Sequence, residues 1–115
     1  MQISRRHYDK YVILEITGIL SVENISNFES SLNDCVKQDK NIIIDLASLK
    51  FIDSSSLGII VLYFAKMEKI GKLLILSDIN EDVQQMFSLT KIGKRVPIVD
   101  SNEEAIGIIQ EAEGH

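Results

Sequence analysis

The chain is poor in the residues that build metal and catalytic centres. It has one cysteine, Cys35, and two histidines, His7 and His115, too few for a sulfur or imidazole cage around a metal ion. A lone thiol cannot close an internal disulfide, and Cys35 falls on the apolar side of an expected helix, so it reads as buried. His7 falls in an expected hairpin turn, and His115 ends a Glu113-Gly114-His115 tail that reads as an expression-tag remnant. Without a base, a serine nucleophile stays inactive, and the run DSSSLG lacks the glycine flanks of a nucleophile elbow. The six glycines are isolated, so there is no phosphate-cradling loop. Cations are also scarce, with 12 Lys and Arg against 17 Asp and Glu for a net charge of −5, which argues against a nucleic-acid partner. No apolar run reaches the roughly 18 residues of a membrane span, and no amino-terminal stretch has signal-peptide form. A soluble, cytoplasmic protein without membrane insertion is expected.

What is present is an ordinary globular composition. At 115 residues, 45% hydrophobic and 25% charged, the chain suits one domain that buries about two-thirds of its unfolded surface. Gln2 to Arg6 and Tyr11 to Thr17 read as strands of an antiparallel hairpin, the second ended by Gly18. Ser21 is placed as the cap of a helix carrying Val22, Ile25, Phe28, Leu32, Cys35 and Val36 at helical spacing. Ile42, Ile43 and Ile44, apolar without alternation, suit a parallel strand covered on both faces. A second helix carries Leu57, Ile60, Val61 and Phe64 to a stop near Gly71, and Leu73 to Leu76 forms the next strand. Asn80 caps a short helix with Val83, Met86 and Phe87, whose apolar surface Leu89 and Ile92 extend. Pro97, without a backbone donor, assigns Val96 to Val99 to a sheet edge. Ser101 and Glu104 fit a capping box for a last helix, with Ala105, Ile106, Ile108 and Ile109 on its buried side. The fold class is therefore α/β, a single domain over residues 1–112 with a mixed, mostly parallel sheet of about five strands and about four helices.

The stretch from Asn41 to Phe64, NIIIDLASLKFIDSSSLGIIVLYF, organises the rest. Asp53-Ser54-Ser55-Ser56 places oxygen-bearing side chains in the first turn of the second helix, where backbone N–H groups lack intrahelical acceptors and the dipole favours an anion. These serines read either as a cap and its neighbours or as a place where phosphorylation adds charge without unfolding the helix. Ile59, Leu62 and Tyr63 fall on what should be the outer face of that helix, which suits packing against other helices or a partner-binding patch. Asp45 and Asp53 near strand ends fit either structural hydrogen bonds or an acidic metal pocket.

The run DLASLKFIDSSSLG, Asp45 to Gly58, resembles the signature DLSxVxFIDSSGLG of the STAS domain family, in particular the bacterial anti-sigma-factor antagonists. FSLTKIGKRVPIVDSNEEA, Phe87 to Ala105, is similar to that family's carboxyl-terminal pattern. The resemblance implies a non-enzymatic switch that binds an anti-sigma factor serine kinase when unmodified, frees the sigma factor, and lets go when phosphorylated. A serine/threonine phosphatase would reset it, and ATP and Mg²⁺ would belong to the kinase, leaving this chain no cofactor. By position in the motif the phosphoacceptor is Ser55, with Ser54 as cap and Ser54 or Ser56 as alternatives. Partner contacts are expected at Ser21, Asp53, Ser54, Ser56, Leu57, Ile59, Leu62 and Tyr63. The sequence departs from the family at Ser56, where glycine is usual, and at Ser21, where aspartate or threonine is frequent. A non-switching STAS subunit of a transporter or signalling scaffold is the alternative, and oligomeric state is left open.

Overall fold

The chain alternates strands and helices so that one sheet is covered on both sides. The structure, a computed structural model, describes residues 1–90 and 95–114; the expectation for Ile92 and the discounted His115 lie outside them. Strands β1 (Gln2–His7) and β2 (Tyr11–Leu20) form the antiparallel hairpin, and β3 (Asn41–Asp45) pairs parallel with the first half of β2. Helix α1 (Ile25–Lys37) makes the crossover. Next come β4 (Leu49–Ile52), α2 (Ser54–Lys69), β5 (Leu74–Ser77), α3 (Glu81–Ser88), β6 (Ile98–Val99) and α4 (Asn102–Glu113). The six-stranded sheet runs β1-β2-β3-β5-β6, with β4 pairing parallel to the far half of β2.

Alternation along the strands explains the two layers. Val12, Leu14 and Ile16 of β2 and Ile42 and Ile44 of β3 join one core with Phe28, Leu32 and Cys35 of α1, Leu57, Ile60, Tyr63 and Phe64 of α2, and Val83 and Phe87 of α3. Ile13, Ile43 and Ile75 face the other way and pack with Ala105 and Ile109 of α4. Residues two apart on a strand share a face, so one strand feeds both cores. β6, with Pro97 before it, is an edge strand, as its missing donor requires.

Several expectations are corrected. Gly18 does not end β2: its φ of +96°, open to glycine but costly for other residues, makes a bulge after which the strand continues to Leu20. That turn lets β2 pair with β4, a strand in what the sequence presents as a plain connection. Ser21 does not cap α1. The Asn24 side chain instead accepts from the Ser21 N–H at 3.0 Å and donates to the Ile19 carbonyl at 2.9 Å, closing a turn over residues 21–24 that delays the helix to Ile25. Val22 is thereby 66% exposed instead of joining the apolar stripe. Leu89 is exposed and Ile108 partly so. Glu113, set aside with the tail, is an α4 residue that accepts from Asn41 Nδ2 at 2.8 Å and from Lys72 Nζ at 3.3 Å.

Candidate functional site

Polar groups at the amino end of α2 lie beside segments that carry some of the exposed large apolar side chains, Ile19, Val22 and Phe51. β4 ends at Ile52, paired with Leu20, so Asp53 emerges beside the end of β2, and its N–H donates to the Leu20 carbonyl at 3.2 Å. Its extended backbone (φ −91°, ψ 172°) suits an N-cap, and Oδ1 accepts from the Ser56 N–H at 2.9 Å. The other carboxylate oxygen, Oδ2, accepts from the Val22 N–H at 2.8 Å, so one side chain holds both the helix start and the turn before α1.

Burial pushes the Asp53 carboxyl up, but the N–H groups of Ser56 and Val22, with the Ser56 hydroxyl on the same side, outweigh it and hold the group below the ordinary aspartate range. Ser56 Oγ is fully buried and, among the described residues, has no well-formed hydrogen-bond partner.

The three serines therefore sit in different surroundings. Asp53, not Ser54, is the cap, and Ser54 and Ser55 are exposed in the first turn of α2. Ser56, Leu57 and Tyr63 are buried, so a docking protein cannot touch them. Tyr63 points instead toward α1, where its hydroxyl lies 3.4 Å from Glu29 Oε2, and Lys66 Nζ sits 4.5 Å from its ring centroid. Burial, and then the Glu29 charge, push the Tyr63 hydroxyl up. Ile59 is half-buried and Leu62 is 44% exposed. Ser55, Gly58, Ile59 and Leu62 follow the i, i+3, i+4, i+7 spacing of one helix face.

Four residues that sequence reasoning left out or misplaced belong to this neighbourhood. Gly58 is exposed, and a Cβ there would meet nothing within 4 Å. A glycine inside a helix costs about 1 kcal/mol against alanine, which was the available signal. Ile19, Val22 and Phe51 are large apolar side chains at 52%, 66% and 43% exposure on the segments that flank Asp53, with Ile19 and Phe51 in register across β2 and β4. Only their tertiary surroundings distinguish them from core residues.

Asp45 and Asp53 do not form a common acidic pocket. Asp45 is buried, accepting from the Ala47 N–H through Oδ1 and from Asn102 Nδ2 through Oδ2, each at 3.0 Å. Among the described residues no group of three His, Cys, Asp or Glu side chains is placed to hold a metal ion, and no helix is long and apolar enough to cross a membrane.

Comparison with known proteins matches residues 2–105 to the model of the STAS domain family. An anti-sigma F factor antagonist from Paenibacillus polymyxa is 24% identical over 108 residues, covering 92% of each chain. A candidate anti-sigma factor antagonist from Thermotoga neapolitana is 32% identical over 101 residues, covering 86% of this chain and 89% of its own. The solved structure of a candidate anti-sigma factor antagonist from Thermotoga maritima superposes with a TM-score of 0.86 at 30% identity, covering 94% of each chain.

Proposed function

The chain belongs to the STAS domain family, and from that premise we propose that it is an anti-sigma factor antagonist switched by phosphorylation of Ser55. Unmodified, it docks on an anti-sigma factor that is also a serine kinase and so releases the sigma factor; phosphorylated, it dissociates until a serine/threonine phosphatase removes the phosphate. The chain catalyses nothing itself, and its place of action is the cytoplasm, where sigma factors work. The observation that carries this reading is the exposure of Ser55 in the first turn of α2, beside a capping aspartate and exposed apolar side chains. The names of relatives matched over most of their length support the antagonist role.

The proposed surface is the Ser55, Gly58, Ile59 and Leu62 face of α2 together with Ile19, Ser21, Val22, Phe51, Asp53 and Ser54. A phosphate on Ser55 adds a charge of roughly −1.5 to −2 where unpaired helix amides accommodate it, so the host stays folded. A docking protein must desolvate that charge, which is costly unless it supplies partners. Turning a population from mostly bound to mostly free needs about 5.5 kcal/mol, within reach of a dianion placed at a dry contact.

Incubation with the cognate kinase and ATP, followed by mass spectrometry, should find one phosphate on Ser55. Ser55→Ala should then hold the kinase persistently and Ser55→Asp should bind it weakly. Equal affinity of the two variants, or a phosphate confined to another residue, would overturn the proposal.

A further inference from the structure

The carboxylate of Asp53 does two things at once. Through Oδ1 it caps α2 at the Ser56 N–H, and through Oδ2 it holds the Val22 N–H of the turn between β2 and α1. The two bonds differ in surroundings: the Ser56 bond is part-buried, whereas the Val22 bond is exposed, so water replaces the second more readily. Within the turn the Asn24 side chain accepts from the Ser21 N–H, and its Nδ2 ties the turn to β2 by donating to the Ile19 carbonyl. Asp53 is thus the side chain that fixes the turn to the helix, and Val22, 66% exposed, sits on the turn it fixes.

We infer that Asp53 is a positioning residue that passes the charge state of Ser55 to the Val22 turn, an inference that rests on Ser55 being the phosphate acceptor. Ser55 is two residues past the cap, so its phosphate and the Asp53 carboxylate share one helix terminus. Two anions there repel each other and compete for the same few amides. The exposed bond to Val22 yields first, and the turn carrying Val22 loosens. Phosphorylation then acts on a partner in two ways, by direct charge repulsion and by undoing the arrangement of an apolar contact.

Amide hydrogen exchange on the isolated chain tests this without the kinase. Asp53→Ser and Asp53→Asn both leave an oxygen to cap Ser56 but remove the second acceptor, and both residues are favourable caps, so the helix is kept. In either variant exchange at the Val22 amide should accelerate roughly tenfold while Ser56 stays protected. Ser55→Asp, in an otherwise native chain, should accelerate Val22 in the same direction. Combining Asp53→Ser with Ser55→Asp should add nothing further at Val22. An unchanged Val22 in the Asp53 variants, an unchanged Val22 in Ser55→Asp, or full additivity in the double variant overturns the inference. Loss of kinase binding in Ser55→Asp with Val22 unaltered would remove the clasp and leave switching by repulsion intact. A loosened Val22 with kinase binding unaltered would keep the clasp and remove the switch.

Discussion

Ser56 carries a hydroxyl into the core where the chain enters α2, and among the described residues no hydrogen-bond partner meets it. A buried polar group without a partner costs about 1–3 kcal/mol, and serine is also the poorer helix former, so Ser56→Ala should raise stability by about 1 kcal/mol in a urea melt. If Ser55 is the acceptor, that variant should still be phosphorylated once. Asp78 shows the opposite chemistry. It adopts the left-handed region at φ +55°, and burial, followed by the charges of Asp45 and Glu103, pushes its carboxyl up, against which the Asn102 N–H acts. A carboxyl raised on folding favours the folded state when protonated, so its contribution is full below the ordinary aspartate range near pH ~3.9 and is lost as pH rises through the folded value. At neutral pH Asp78 is therefore a burden. Asn tolerates positive φ and can still accept from Asn102, so Asp78→Asn should raise Tm at pH 7 by roughly 2 °C, with the gain vanishing near pH 3.

Helices α2 and α4 are held by different means. α2 buries Leu57, Ile60, Tyr63, Phe64 and Met67, so its anchorage is apolar and its exposed face is free to carry function. Gly58 on that face meets no neighbour, hence Gly58→Ala should stabilise the chain by about 1 kcal/mol through helix propensity alone. If the flat surface admits a partner backbone, the same change should weaken kinase binding, and a pull-down beside the melt separates the effects. α4 is pinned by polar bonds at both ends. Asn102 donates to Asp45 at its start and accepts from the Ser77 hydroxyl; at its end Glu113 accepts from Asn41 Nδ2, and the Asn41 side-chain Oδ1 accepts from the Leu73 N–H at 2.8 Å. Asn41 is 2% exposed, so Asn41→Ala orphans the Leu73 amide and should cost about 1–3 kcal/mol, measured by denaturant titration. Helix periodicity, being local, places Leu57, Ile60 and Phe64 on the buried side of α2, but it puts Tyr63 on the outer face, where packing against α1 buries it, and Val61 inside, where it is only half-buried. Neither the Asn41 latch nor the Glu113 contact was legible, since both join residues far apart in sequence.

Most of the fold was legible because each crossover follows from a strand, an amphipathic helix and another strand in order. β4 was not, because Leu49 to Ile52 is four residues long and becomes a strand only by pairing with β2 beyond the Gly18 bulge. Of the proposed site, Ser55 and Asp53 are visible in the motif, whereas Val22 is not, because its hydrophobicity fits the helical stripe of α1 in sequence. A division of labour follows: the buried clusters carry stability, and the exposed Ser54 and Ser55 at the α2 terminus lie outside both. Stability and switching should therefore respond to different substitutions. Phe28→Ala, in a fully buried position of α1, removes a large side chain from the main core and should cost about 3–5 kcal/mol. Ser55→Asp places a carboxylate at a helix terminus that favours anions, so its unfolding free energy from a urea titration should stay within about 0.5 kcal/mol of the unaltered chain. Kinase binding should order the two variants the other way. At a temperature where both are folded, Phe28→Ala should bind like the native chain and Ser55→Asp should not. A Ser55→Asp chain that binds poorly only in proportion to lost stability would show that folding, not surface charge, sets the affinity.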